Sequence, residues 1–172
     1  MYPITRPRAF LLVAMGALLH LTILNRLEVF HSRPDVLFSL VLFFGLFAPG
    51  RVAVEVGIFA GLLKDIFSSG WFGLNTLIMS LAAFLINRLA PRFYRESKFA
   101  QGFLAALFYA FSASAWYLFA FLGVGGEALV LPTYFDFLLR SIVPNGFYTC
   151  IVSLVICGKM MSWFEPSERL LL

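Results

Sequence analysis

Six runs of apolar residues divide this chain, separated by short polar or Pro/Gly clusters. They fall at about 9–24, 36–48, 52–67, 72–89, 99–124 and 144–163. The runs lack the alternation of apolar and polar residues that a membrane β-strand shows, and they are too long and too frequent for one buried core. The pattern predicts an all-α polytopic membrane protein, a single integral membrane domain over 1–172 with six transmembrane helices. The second and third runs are short for a hydrocarbon core of roughly 30 Å, so tilt, flanking residues or local thinning of the bilayer must make up the length.

Between the fifth and sixth runs lies LPTYFDFLLRS, positions 131–141. Pro132 suits a first helical turn, and Asp136 and Arg140 stand four apart on one face, beside Tyr134, Phe135, Phe137, Leu138 and Leu139. This stretch predicts a short interfacial helix, with Pro144-Asn145 marking the bend into the last span. At the other end, MYPITRPR before an apolar run resembles a signal peptide, but no small-x-small cleavage site precedes NRLEVFHSRPD. It is expected to remain as the first span.

Composition sharpens this picture. Of 172 residues, 61% are hydrophobic and only 13% charged, against about a quarter charged in an ordinary soluble domain. The net charge of +4 is spread among loops, which argues against a nucleic-acid surface and for charges that set topology. With the N-terminus in the cytoplasm, the inside segments hold Arg6, Arg8, Arg51, Arg88, Arg92, Arg95, Lys98, Lys159 and Arg169; the outside ones hold Arg26, Arg33, Lys64 and Arg140. Nine against four predicts both termini inside.

No Gly-rich phosphate loop and no His/Cys metal cluster is visible, so no cofactor or metal is expected and no enzyme is predicted. Cys150 and Cys157, seven apart, would lie about 10 Å from each other on a helix, too far for a disulfide. They read as packing residues.

The polar residues inside the runs need individual reasons. Lys64 and Asp65 sit near the outer end of the third run. Lys64 can snorkel to the interface, and its charge suits a helix C-terminus. Asp65 does not suit that end, and adjacent helical residues do not face each other, so the two are not expected to pair. Gly57, Gly61 and Asp65 share a stripe that lets another helix come close. Asp65 is therefore expected to accept hydrogen bonds from the start of the fourth span, around Gly70 to Gly73; the rival role is to meet a basic residue of a partner protein.

Glu55 is expected to pair with Arg51, four residues earlier, and a proton-carrier role for it lacks a second deep carboxylate. Asn75, Asn87 and Asn145 are candidates for interhelical bonds, and His20 for an interfacial residue. Ala106, Ala110 and Ser114 predict a second close-packing seam.

The passage from Pro34 to Leu89 resembles the bacterial rod-shape-determining MreD family. The residues that carry the likeness are Pro34, Gly61, Leu62 and Asp65 (G-L-x-x-D), then Gly73, Leu74 and Leu77 (G-L-x-x-L). The chain departs from the family's habit at Lys64, where members often carry an apolar or small residue. The resemblance implies a non-catalytic inner-membrane scaffold of the peptidoglycan elongation machinery, with the substrate-binding subunit fold of energy-coupling-factor transporters. It also implies direct binding to MreC, and links through the complex to MreB, RodA and its penicillin-binding transpeptidase; a homodimer is a further possibility. Candidate structural or partner-contacting residues are Gly57, Gly61, Asp65, Gly73, Asn75 and Asn145. The alternative is a vitamin-binding transporter subunit, against which the first span offers only Ala14 and Ala17 around Gly16 where an A-x-x-x-A docking seam is wanted.

Overall fold

A computed structural model of the chain describes residues 6–19, 35–68, 71–92, 97–123, 136 and 138–164. Within them the regular structure is all helical: α1 (Arg6–Leu19), α2 (Val36–Phe47), α3 (Gly50–Phe67), α4 (Leu74–Leu89), α5 (Lys98–Gly123) and α6 (Val143–Phe164). A 3₁₀ turn at Ala90–Arg92 extends α4, and a π-helical turn at Leu138–Ile142 leads into α6. These helices match the predicted runs to within a few residues, and positions 20–24 of the first run lie outside the described residues, as does His20.

The centre of the molecule is α2. All but Val36 of its 12 residues are buried, including Phe38, Phe43 and Phe44. Each of the other five helices touches it, and around it α1 packs on α3, α3 on α4, α4 on α5 and α5 on α6. Phe38 meets Tyr109 of α5 edge to face with ring centroids 5.8 Å apart, and Phe10 of α1 meets Phe59 of α3 in the same way at 5.2 Å. The unbroken hydrophobicity of VLFSLVLFFGLF thus reflects a helix covered on every side by protein. At about 18 Å it is far shorter than a hydrocarbon core, and enclosure by longer neighbours accounts for that.

The surrounding helices are apolar outward as well. Leu11, Met15 and Leu18 of α1, Ile58, Leu62 and Ile66 of α3, Leu77, Leu81 and Phe84 of α4, and Phe147, Ile151 and Val155 of α6 are all exposed. Two segments, Lys98–Phe119 and Leu138–Ser162, are long and apolar enough to cross a membrane. Only 17% and 29% of the residues in their most apolar stretches are buried, so they are not core helices of a soluble domain. Such a surface suits lipid, not water.

A buried helix must satisfy its terminal backbone groups inside the protein. At the start of α2, Asp35 Oδ1 accepts from the Phe38 N–H at 2.9 Å, and the Asp35 N–H donates to Thr149 Oγ1 of α6 at 3.2 Å. One turn in, Ser153 Oγ of α6 donates to Ser39 Oγ at 2.8 Å. At the far end, Asn87 Nδ2 of α4 donates to the carbonyls of Gly45 and Ala48, both at 3.0 Å. Pro49 then acts as N-cap residue of α3, with its carbonyl accepting from the Ala53 N–H at 2.9 Å. The predicted interhelical role of Asn87 is this tie across the α2–α3 corner.

Two expectations change. Of the interfacial helix at 131–141, positions 131–135 and 137 lie outside the described residues, and the π-helical turn continues without a break into α6. Pro144 is therefore the second residue of α6, not a bend before it. It has no N–H for the carbonyl of Arg140, and the wider π-helical turn ends just ahead of it. The seam of Ala106, Ala110 and Ser114 is not the contact line of α5 with α6, because Ala106 is exposed and the other two are only half-buried. The close approaches come from Gly102, opposite Cys150, and from Gly146 of α6, opposite Tyr109.

Asn87→Ala is expected to lower the unfolding free energy by about 1–3 kcal/mol, because it strands two buried carbonyls. Reversible unfolding in mixed micelles checks this, with the exposed neighbour Arg88→Ala expected to change little.

Candidate functional site

The helical hairpin of α3 and α4 gathers most of the polar residues singled out by the sequence. Its geometry begins with two glycines. A Cβ on Gly57 would lie 2.8 Å from the Met79 carbonyl and 2.9 Å from the Ala83 Cβ. A Cβ on Gly61 would run into the Thr76 Cα and lie 2.7 Å from both the Asn75 carbonyl and the Thr76 nitrogen. The backbones of α3 and α4 are therefore in direct contact along this face, as small-residue seams permit.

One turn beyond Gly61, this contact delivers Asp65 to the first turn of α4. Oδ1 accepts from the Asn75 N–H at 3.0 Å and from Asn75 Nδ2 at 2.9 Å. Oδ2 accepts from the Thr76 N–H at 2.9 Å and from Thr76 Oγ1 at 2.6 Å. The N-cap residue of α4 is Gly73, which has no side chain to cap with and holds a left-handed backbone at φ 93°. Asn75 and Thr76 occupy the second and third helical positions, whose N–H groups an N-cap side chain ordinarily satisfies. Asp65 does this from the neighbouring helix. The donors lie past the expected Gly70–Gly73 stretch because α4 starts only at Leu74.

The same arrangement answers the electrostatic objection to an anion at the end of α3. The positive end of the α4 dipole faces the carboxylate and offsets the negative end of α3. Asp65 is 4% exposed and all four bonds go to α4, which leaves no oxygen turned outward for a partner's basic residue.

Lys64 takes a different course from the one expected. Its ammonium does not snorkel outward but pairs with the carboxylate of Asp35, with the side chains 31% and 11% exposed. Asp35 went unnoticed in the sequence, although an aspartate directly before an apolar helical run is a readable N-cap signal. Its pairing with Lys64, 29 residues away, has no sequence signal. The pair lines a cavity of about 300 Å³ between α2, α3, α4 and α5.

Glu55 also finds another partner. It pairs with Arg6 of α1 at 3.4 Å, not with Arg51, because α1 packs along the start of α3. Both side chains are well exposed, 61% and 38%, so this pair contributes little to stability. Asn145 is half-buried in the first turn of α6 and is not among the residues bonded to Asp65. Gly57, Gly61, Asp65, Gly73 and Asn75 thus form one constellation, and Asn145 stands apart from it. Cys150 and Cys157 are free thiols of α6; Cys150 donates to the Gly102 carbonyl at 3.5 Å, and Cys157 is buried. Among the described residues there is no group of three or more His, Cys, Asp or Glu side chains that could hold a metal. What the hairpin constellation can do is fix helix ends.

A family model described as rod shape-determining protein MreD matches residues 8–166. No curated protein and no solved structure matches the chain.

Gly61→Ala is expected to cost about 1–3 kcal/mol by forcing the two backbones apart, and to weaken the Asp65 bonds. The control is Gly158→Ala in α6, where a Cβ meets nothing within 4 Å. Removing that helical glycine is expected to be neutral or to stabilise by up to about 1 kcal/mol. Equal melting losses in the two variants would contradict the close contact.

Proposed function

The chain belongs to the MreD family of rod shape-determining proteins, and from that premise we propose that it is a non-catalytic scaffold of the peptidoglycan elongation machinery. In this reading it is a multi-pass protein of the bacterial inner membrane, with six spans, both termini in the cytoplasm and MreC as its direct partner. MreB, RodA and its transpeptidase are reached through the complex. The observation that carries the proposal is the family match over nearly the whole chain.

The disposition of polar groups supports it. Asp35, Asp65, Asn75, Asn87, Ser39 and Ser153 all serve to join one helix to another. A molecule whose buried polar groups tie helix ends, and whose outer faces are broad apolar surfaces, is built to hold its shape and present flanks to other membrane helices. The glycine seam of α3 is filled by α4 and is closed to a partner. The small-residue line that is partly open is Ala106, Ala110 and Ser114 on α5, bordered by exposed Phe103, Leu107 and Phe111, and there we place the membrane helix of MreC.

We take the helix arrangement to be that of energy-coupling-factor substrate-binding subunits, on the resemblance alone. The vitamin-transporter reading has less support. Of the small residues of α1 that a coupling module would need, Gly16 and Ala17 are buried, Gly16 against Leu40 of α2, and Ala14 is half-buried.

Depletion of the protein in its rod-shaped host is expected to round the cells, and MreC is expected to co-purify with it. Unchanged cell shape and wall insertion on depletion would defeat the proposal. Ala106→Trp is expected to reduce MreC capture by about tenfold, a loss of roughly 1.4 kcal/mol, without lowering the melting temperature of the protein, because Ala106 is exposed. Undiminished capture would move the partner to another flank.

A further inference from the structure

The cavity beside Asp35 and Lys64 is not accounted for by helix tying. Its polar lining has hydrogen-bonding capacity left over. Ser112 of α5 lines the cavity, and among the described residues its buried Oγ has no hydrogen-bond partner, which is unusual for a buried hydroxyl. The Lys64 ammonium has three donors, of which Asp35 takes one. Among the described residues nothing donates to the side-chain carbonyl of Asn75, whose amide nitrogen is held by Asp65. The Tyr109 ring lines the same space, together with the apolar walls of Phe38, Ile78 and Trp116.

The charges restrict what can enter. An anion that reaches Lys64 also meets the Asp35 carboxylate, and a cation that reaches Asp35 also meets the Lys64 ammonium. A purely apolar occupant would leave Ser112 Oγ without a partner and would desolvate the ion pair, both of which are costly. A group carrying an anion and an ammonium a few bonds apart can face each member of the pair with its opposite sign. Its short carbon linker can then rest on the apolar wall. The volume of about 300 Å³ is at the small end of the range for ligand pockets, which suits a headgroup-sized molecule.

We propose that this cavity, between the Asp35–Lys64 pair and Ser112, binds a small zwitterion bearing a phosphate or carboxylate and an ammonium. Two sources share that chemistry: the headgroup of phosphatidylethanolamine, and a free zwitterion such as phosphoethanolamine. The site is separate from the α5 flank assigned to MreC, so its failure and the failure of the scaffold reading are distinguishable.

The test uses the full-length protein, purified in detergent and stripped of lipid. Native mass spectrometry compares retention of phosphatidylethanolamine and phosphatidylglycerol with matched acyl chains, and a melting assay measures the effect of free phosphoethanolamine. The expected result is about a tenfold preference for the ethanolamine lipid, a rise in melting temperature with the free zwitterion, or both. Preference for the lipid alone assigns the site to a lipid headgroup; a melting shift assigns it to the zwitterion itself. Ser112→Phe, which fills part of the cavity and leaves Asp35 and Lys64 themselves unchanged, is expected to abolish whichever signal the native protein gives. Should that variant fail to fold, Ser112→Ala removes only the hydroxyl and is expected to weaken the signal several-fold. Equal retention of the two lipids with no melting shift overturns the proposal, and so does a signal that persists unchanged in the Ser112 variants.

Discussion

A 12-residue helix enclosed on every side cannot leave its end groups to water, and the rest of the fold follows from that constraint. At its start α2 depends on Asp35 and on Thr149 of α6; at its end it depends on Asn87 of α4. The helices that satisfy α2 are thereby held in register with it. Asn87 can reach both Gly45 and Ala48 only if α4 lies against the α2–α3 corner. Thr149 can reach the Asp35 N–H only if the start of α6 stands beside the start of α2. Apolar packing surrounds α2, but these directional bonds set where each neighbour stops.

The α3–α4 hairpin repeats the principle at the edge of the bundle. Gly73 allows the left-handed turn but offers no cap, so Asp65 supplies one from the opposite helix. That works only because Gly57 and Gly61 let the two backbones meet. The glycines and the aspartate are therefore one device: without the close approach, the carboxylate would fall short of the N–H groups it caps. Lys64, the residue just before Asp65, pairs instead with Asp35 and so joins the hairpin to the start of the central helix.

This economy of polar groups bears on what the protein does. The proposed scaffold role would call for a stable shape and unobstructed flanks, and the described residues show buried polarity directed inward with apolar residues outside. The space beside Asp35 and Lys64 is where that inward direction leaves capacity unused. Ser112 is the residue that marks it, because among the described residues its buried hydroxyl has no hydrogen-bond partner.

Run length, Pro49-Gly50, Gly73 and the four-residue spacing from Gly57 to Asp65 act locally, so the helices, most of their ends and the capping role of Asp65 were legible in the sequence, though not its donors Asn75 and Thr76. The sequence also carried the family, through Gly61-Leu62 to Asp65 and Gly73-Leu74. That α2 is the central helix and α1, α3, α4, α5 and α6 its surround emerges only from the packing. Lipid and protein interior are equally apolar, so hydropathy cannot tell a helix buried in protein from one facing acyl chains. The same holds for the charges: Lys64 chose Asp35, and Glu55 chose Arg6, across helices distant in sequence. Spacing within one helix names only local neighbours, and these partners were set by the packing of α1 on α3 and of α3 on α2.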